Sequence, residues 1–479
     1  MSLYFFLPDM ALLALALAIL TGEVFLRKHV ARTSFRIATG GLIAILILLS
    51  LFSSLTLPLE GVAFASYRIT PSIVLWKQIF VLAALGTVFI SSSYFRNGGS
   101  ARGTLTRPGA FYSLILFSTL GMFALISAGD ALTFYLGLEL ASLPLYALSA
   151  FQPHDSQSVE GASKYVLMGA FSSTLSLFGI SFLFGAAGGL SFESIGLAAH
   201  MNSAQPFLHI GALLLLGGIG FKLSMAPLHM WAPDVYQGSP MPVMAFLSVG
   251  SKAAAVAAMT LLFLGPLDAL RSGMTGVFSL AAVLSMVVGN LGAMRQSNLR
   301  RFVAYSSIAQ VGYMLVAFTG TVEGARSALQ YNLIAYGATS FAFYFVISLI
   351  GKTRSEEITS LQGLSSESPG LAALLVLCMF SLVGIPPLAG FLGKFLLFST
   401  AAQGGHYLLV LIAAMNAVVS FYYYMRLLKE AYISKPTTIF APIRLNRAAQ
   451  IWTFILAILL LVLGTCPALG EYIAGRSVF

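Results

Sequence analysis

The chain has 479 residues, of which 58% are hydrophobic and only 9% charged, and its mean hydropathy is +0.90. No soluble fold of this length can hide so much apolar surface in one core, which excludes a water-soluble domain and makes the chain an all-α polytopic membrane protein. A formal net charge of +10 would suit nucleic acid, but the cations lie in short loops between apolar runs and form no single basic face, which is a pattern of membrane topology and predicts no nucleic-acid partner.

Runs of about 20 apolar residues mark about fourteen predicted transmembrane helices. In chain order they lie near 3–26, 36–56, 72–95, 109–128, 130–150, 159–186, 206–232, 240–264, 274–294, 301–320, 326–350, 369–401, 406–432 and 448–472. The first holds Pro8, Asp9 and Glu23 but neither a basic leader nor a small-residue cleavage site, so it reads as a retained helix and not a removed signal. In span three, Lys77 follows Trp76 near the outer end and suits an interfacial anchor. Span five carries Glu139, and span six carries Lys164, close enough to its end to reach the interface. Span seven carries Lys222, Pro227 and His229, and span eight carries Lys252.

Spans seven and twelve are too long. As straight helices they would reach roughly 40 and 50 Å, against a hydrocarbon core of about 30 Å. Each contains a break: Pro227 in one, and Pro386, Pro387, Gly390 and Gly393, just before Lys394, in the other. Irregular backbone is tolerated at membrane depth only where it is buried in protein or lines a watery cavity. Spans seven and twelve lie an odd number of helices apart, which inverts their orientation. A pair of interrupted spans so placed is the sign of an inverted-repeat transporter core, here spans four to eight and nine to thirteen. The predicted division is an N-terminal three-helix segment over 1–108, a first five-helix unit over 109–265, a second, inverted five-helix unit over 274–432 and a C-terminal helix over 433–479. Direct similarity between the units is thin: Pro227-Leu228-x-x-Trp231 against Pro387-Leu388-x-x-Phe391.

The loop cations test this count independently. Loops after odd-numbered spans hold Arg27, Lys28, Arg32, Arg36, Arg96, Arg102, Arg107, Arg295, Arg300, Arg301, Lys352, Arg354, Arg426, Lys429, Lys435, Arg444 and Arg447. Loops after even-numbered spans hold only Arg68, Arg271, Arg326 and Arg476. This asymmetry predicts odd loops in the cytoplasm and both termini on the outer, periplasmic side of a bacterial inner (plasma) membrane.

A charge near the bilayer centre costs at least about 2.5 to 3.5 kcal/mol on insertion scales, so Glu139, Lys222, Lys252 and Lys394 are functional candidates. A structural ion pair, or polar glue between helices, is the competing reading for each. One Glu139 cannot neutralise three deep lysines, and a lysine without a close counter-charge in low dielectric exchanges more readily between charged and neutral forms, as a proton relay requires. Lys164 and His229 are weaker candidates, since His229 follows Lys222 by two helical turns but Pro227 lies between them. Asn290, Tyr305, Gln310, Tyr331, Tyr336 and the run Tyr422, Tyr423 and Tyr424 could order water, although packing or interfacial roles suit most of them better.

Cys378 and Cys466 form no CxxC or metal-ligand spacing, so no iron-sulfur or zinc site is expected. The stretch "GFLGKF", Gly390 to Phe395, lacks both the spacing and the Ser or Thr of a P-loop, and no G-x-G-x-x-G follows a strand-like run. The chain is expected to bind no cofactor or metal itself.

Five blocks carry a resemblance across nearly the whole chain. "FYLGLELASLPLYALSAF" with Glu139, "ASKYVLMGAFSS" with Lys164, "FKLSMAPLHMWAPDVYQGSPMPVMAFLSVGSKAA" with Lys222, His229 and Lys252, "RQSNLRRFVAYSSIAQVGYML" and "SLVGIPPLAGFLGKF" with Lys394 resemble the antiporter-like membrane subunits of respiratory complex I. The likeness is strongest to the subunit N type, the bacterial counterpart of mitochondrial subunit 2. Subunit L has extra C-terminal helices, whereas this chain stops soon after span fourteen, and subunit M has a glutamate where Lys394 stands. The resemblance implies fourteen helices in two inverted units, with Glu139 pairing Lys222, Lys252 continuing toward the second unit and Lys394 serving the exit. It also implies that flavin, iron-sulfur clusters and quinone belong to partner subunits. The implied partners are other complex I membrane subunits, both antiporter-like and small, besides lipids, protons and water.

Three functions compete. The leading one is a proton-translocating subunit of an NADH:quinone oxidoreductase. An Mrp-type cation/proton antiporter subunit shares these motifs, but three deep lysines would repel sodium. A passive structural membrane subunit is the third.

Overall fold

A computed structural model describes residues 3–25, 30–54, 61–64, 66–96, 107–351, 354–435, 443, 445 and 447–466. Of the loop cations, Arg27, Lys28, Arg102, Lys352, Arg444 and Arg476 lie outside the described residues. The helices run in chain order as α1 (Leu7–Phe25), α2 (Val30–Ser54), α3 (Pro71–Arg96), α4 (Pro108–Ile126), α5 (Ala131–Ser149), α6 (Ser156–Ala187), α7 (Phe192–Met201), α8 (Pro206–Leu223), α9 (Trp231–Gly238) and α10 (Met241–Phe246). They continue as α11 (Lys252–Phe263), α12 (Asp268–Met294), α13 (Leu299–Val316), α14 (Val322–Ile350), α15 (Leu364–Glu367), α16 (Pro369–Val383), α17 (Ala389–Gln403), α18 (Tyr407–Tyr432) and α19 (Arg447–Thr465). A short antiparallel hairpin, β1 (Gly61–Phe64) and β2 (Tyr67–Ile69), joins α2 to α3. Among the described residues, 12 helices are long and apolar enough to cross a membrane, and Pro369–Val383 and Ala449–Thr465 are shorter apolar helices at predicted spans twelve and fourteen.

Local sequence explains where the helices begin. Pro108, Pro206 and Pro369 stand in the first turn of α4, α8 and α16, where a missing N–H costs nothing. Asp130 accepts from the Thr133 amide at 2.7 Å, and Asn298 accepts from the Arg300 amide at 2.9 Å. Predicted spans two and nine begin late, since α2 starts at Val30 and α12 at Asp268. Arg32, Arg36 and Arg271 end the apolar run there while the helix itself continues. The hairpin and α7 fell to no predicted span because both are shorter than any membrane-crossing window.

Burial orders the bundle. In the most apolar stretch of Met241–Phe263 and of Leu299–Thr319, 94% of the residues are buried, against 28% for Leu7–Phe25 and for Tyr407–Tyr432, so α10, α11 and α13 form the centre and α1 and α18 the periphery. Small residues permit the closest crossings. A Cβ on Gly179 of α6 would stand 2.8 Å from the Gly211 carbonyl oxygen of α8, a distance that requires glycine. Arginines also hold helix ends: Arg426 of α18 donates to the carbonyls of Met294 and Gln296, and Arg354, in the loop after α14, to those of Ser360 and Gln362.

Span seven is two helices separated by a turn. α8 stops at Leu223, Ser224 takes a left-handed conformation (φ 60°, ψ 37°), and the Met225 amide donates to the Gly220 carbonyl at 2.8 Å. Span twelve breaks in the same way. α16 stops at Val383, Gly384 is left-handed (φ 93°, ψ 52°), and the Ile385 amide donates to the Phe380 carbonyl at 2.9 Å. Each break therefore closes with the same capping bonds before its proline forbids further helix. Span eight hides a further irregularity, a π-helical turn at Leu247–Ser251 immediately before Lys252.

Candidate functional site

Lys222 occupies the last turn of α8 and is only 4% exposed. Its Nζ donates to the Tyr146 hydroxyl of α5 at 2.9 Å and lies 5.3 Å from the centre of that ring. Tyr146 meets Tyr165 of α6 edge-on at 4.6 Å, and Tyr165 stacks on Trp231 of α9 at 4.4 Å. Trp231 in turn donates from its indole to the Phe221 carbonyl at 3.0 Å, satisfying one of the acceptors orphaned where α8 ends. The first break is thus closed by an aromatic stack that runs from α9 back to α5 and seats the lysine.

Glu139 is half-buried on α5 and accepts from the Ser173 hydroxyl at 2.5 Å. No ion pair within 4.0 Å joins it to Lys222, which corrects the direct pairing expected from the resemblance. Glu139 and Tyr146 share one face of α5 two turns apart, about 10 Å along the axis, and the lysine meets the second of the two.

Lys252 follows the π turn, is 1% exposed, and donates to the Ser307 hydroxyl of α13 at 2.7 Å. The buried Tyr236 hydroxyl makes no hydrogen bond of ordinary length but stands beside Ser307 and Ser248. Ser248 is hydrogen-bonded to Tyr336 of α14 at 2.8 Å. Lys394, 6% exposed on α17, donates to the carbonyls of Leu382 at 2.8 Å and Val383 at 2.9 Å, and lies 4.3 Å from the ring centre of Tyr313. Those carbonyls are the negative end of α16, so the broken helix itself supplies the cation's partner. Gln310 donates to the same Leu382 carbonyl at 3.0 Å. Asn290 accepts from Tyr423 at 3.1 Å and donates to Asn416 at 3.0 Å. All three deep lysines bond neutral groups, and among the described residues none of them has an ion-pair partner within 4.0 Å.

Lys164 stands apart from this line. Its side chain is 43% exposed and pairs with Glu160 at 2.7 Å and Asp234 at 2.6 Å. His229 lies in the turn between α8 and α9, half-buried, with Nδ1 buried and unbonded. Because α8 stops at Leu223, no common helix face joins His229 to Lys222. Lys77 is fully buried, bound to Asp9 at 2.9 Å and to the Tyr67 hydroxyl at 2.6 Å, which corrects its reading as an interfacial anchor. The counter-charge is 68 residues away in sequence.

Among the polar tyrosines, Tyr336 and Tyr423 join buried networks, Tyr331 donates to the Leu463 carbonyl, and Tyr422 is exposed. The sequence missed Tyr146, Tyr165, Tyr236, Ser307 and Asp234. Tyr146, Tyr165 and Ser307 sit in apolar runs where a hydroxyl raises no signal, and Tyr236 lies in the short stretch between predicted spans seven and eight. Asp234 lies just beyond predicted span seven, and its place after the break was the one available clue. Among the described residues no group of three or more His, Cys, Asp or Glu side chains could hold a metal.

Known proteins share the sequence and the fold of this chain. The family described as "NADH:quinone oxidoreductase/Mrp antiporter, TM" matches residues 128–420. The NADH-quinone oxidoreductase subunit N of Moorella thermoacetica is 37% identical over 421 residues, covering 88% of this chain and 87% of that protein. A chain of respiratory complex I from Thermus thermophilus superposes with a TM-score of 0.81 at 31% identity, covering 96% of this chain and 98% of that one. A chain of the Mrp complex from Dietzia sp. shares the fold, with a TM-score of 0.82 at 19% identity over 98% of this chain and 97% of that one.

Proposed function

The chain belongs to the subunit N family of NADH-quinone oxidoreductases, antiporter-like membrane subunits of complex I, and we propose that its own share of the reaction is carried by a relay through Glu139, Tyr146, Lys222, Lys252 and Lys394. Membership makes it a multi-pass membrane subunit of a bacterial proton-translocating NADH:quinone oxidoreductase. The observation that carries the relay is that Lys222, Lys252 and Lys394, in the bundle interior, bond only hydroxyls and carbonyls among the described residues. A buried ammonium so held stays poised between charged and neutral forms, whereas an ion pair would fix the charge. Between them lie Ser307, Tyr236, Ser248, Tyr336 and Gln310, donors and acceptors along which water can pass a proton.

Two inverted five-helix units, over 109–265 and 274–432, frame this relay, with an N-terminal segment over 1–108 and a C-terminal helix over 433–479. Parallel packing supports that division. α4 lies on α5 as α12 lies on α13, and α6 lies on α8 and α9 as α14 lies on α16 and α17. The matched caps at Ser224 and Gly384 support it too. Both termini lie on the periplasmic side of the plasma membrane in this reading, which rests on the loop cations. Redox chemistry at flavin, iron-sulfur clusters and quinone belongs to partner subunits, and a change there alters the field on Lys222. Neighbouring antiporter-like and small subunits cover the half-exposed Glu139 face and carry protons onward. Lys164 and His229 belong to the approach on the first break, outside the chain of deep lysines.

Lys222→Ala in the assembled complex tests the relay, with NADH oxidation and the pH gradient recorded together. Both are expected to fall with assembly intact, or the gradient alone. Wild-type values of both would overturn the relay. A passive structural subunit would instead lose assembly without a selective proton defect, and an Mrp-type antiporter would show sodium-dependent exchange with Mrp partners only.

A further inference from the structure

Asp234 is held by cations from both sides of the short helix α9. Its Oδ2 accepts from Lys164 of α6 at 2.6 Å and its Oδ1 from Arg301 of α13 at 2.7 Å. Lys164 also pairs with Glu160, and Arg301 also donates to Gln237 at 3.1 Å. α9 is wedged tightly on α6: a Cβ on Gly161 would stand 3.0 Å from the Asp234 carbonyl oxygen. One turn before Asp234 on the same helix is Trp231, and one residue after Lys164 is Tyr165, its stacking partner. The ionic contact and the aromatic contact therefore join α9 to α6 side by side. A second observation singles out the same position. Counting from the left-handed cap of each break, Ser224 and Gly384, the tenth residue is Asp234 in the first and Lys394 in the second.

We propose that Asp234 is a positioning residue for the Lys222 end of the relay: its carboxylate, shared between Lys164 and Arg301, seats α9 and through the Trp231, Tyr165 and Tyr146 stack sets the hydrogen bond that holds Lys222. This rests on the relay reading of Lys222. The second break needs no such lever, because Lys394 itself reaches the exposed carbonyls of its half-helix. In the first break Trp231 does that capping, and the charge at the Lys394-like position is turned toward α6 and α13. The charged groups facing the Asp234 carboxylate are Lys164 with its neighbour Glu160 from α6 and Arg301 from α13.

The test uses membranes carrying the whole complex with Asp234→Asn, Asp234→Glu, Lys164→Gln or Lys222→Ala, scoring the amount of assembled complex, NADH:quinone turnover, the pH gradient and the pH profile of turnover. Asp234→Asn is expected to assemble, to lose roughly tenfold in coupled turnover, as misplacement of a reacting group does, and to shift the pH profile, with Asp234→Glu restoring both. Lys164→Gln, at a half-exposed side chain, is expected to assemble and to reproduce the loss. If Asp234→Asn assembles and matches the wild type in turnover, gradient and pH profile, the proposal is overturned. If Asp234→Asn fails to assemble, wild-type turnover and pH profile in Lys164→Gln overturn it instead. A defective Lys222→Ala beside a normal Asp234→Asn removes only the positioning role, whereas a normal Lys222→Ala removes the relay and this role with it.

Discussion

Replacing Tyr146 by Phe deletes one oxygen and keeps the ring. The ring's edge-on contact with Tyr165 at 4.6 Å survives, so the aromatic closure of the first break is preserved. What is lost is the 2.9 Å hydrogen bond from Lys222, the one hydrogen bond that this ammonium, only 4% exposed, makes among the described residues. A hydrogen bond to a charged group contributes about 1.5 to 3 kcal/mol. At roughly 1.4 kcal/mol per factor of ten, the population of ammonium held in its working position falls by about 10- to 100-fold. Translocation that passes through this position slows by up to the same factor. The assay is NADH oxidation with simultaneous recording of the pH gradient in membranes, normalised to assembled complex. Electron transfer from NADH to an artificial acceptor, which needs only the redox subunits, serves as the internal standard. A Tyr146→Phe complex with wild-type oxidation and gradient would refute the argument that this hydroxyl seats Lys222 for function.

Two further outcomes follow from buried geometry elsewhere. Lys77→Met strands the Asp9 carboxylate in the bundle and is expected to cost about 3 to 5 kcal/mol, seen as a lower melting temperature and less assembled complex, while the double change with Asp9→Leu recovers much of that loss. Ser224→Gly relieves a left-handed φ of 60° on a residue that has a Cβ and whose buried hydroxyl has no partner among the described residues, so it is expected to raise stability by about 1 kcal/mol without changing turnover. An unchanged or lower melting temperature for the assembled Ser224→Gly complex would show that the serine is there for another reason.

Several features could be read before any coordinates because their physics is local to the chain. The spans, the two breaks and the depth of Lys222, Lys252 and Lys394 all follow from the cost of placing polar groups in hydrocarbon, which accumulates residue by residue. The family blocks lie in the same stretches, because those charges and prolines punctuate them. Partner identity was not legible in this way. Lys222 and Tyr146 are 76 residues apart, Lys252 and Ser307 are 55 apart, and Lys164 and Asp234 are 70 apart. A tyrosine inside an apolar run looks like packing until another helix brings a lysine to its hydroxyl. The family resemblance implied Glu139 as the partner of Lys222, yet two turns of α5 and the reach of one side chain put Tyr146 in that place. Lys77 looked like an anchor because it follows Trp76 near the end of its span, while its acid sits 68 residues away in the first span.

The sequence by itself determined that this chain crosses the membrane many times, where its helices must break and which charges lie deep, because hydrophobic transfer and proline sterics act on each segment alone. Only the tertiary structure decided what those charges touch, whether a break is closed by an indole or by a lysine, and that Asp234 links α6 to α13. Those outcomes depend on side-chain reach across packed helices, a distance that no single segment encodes.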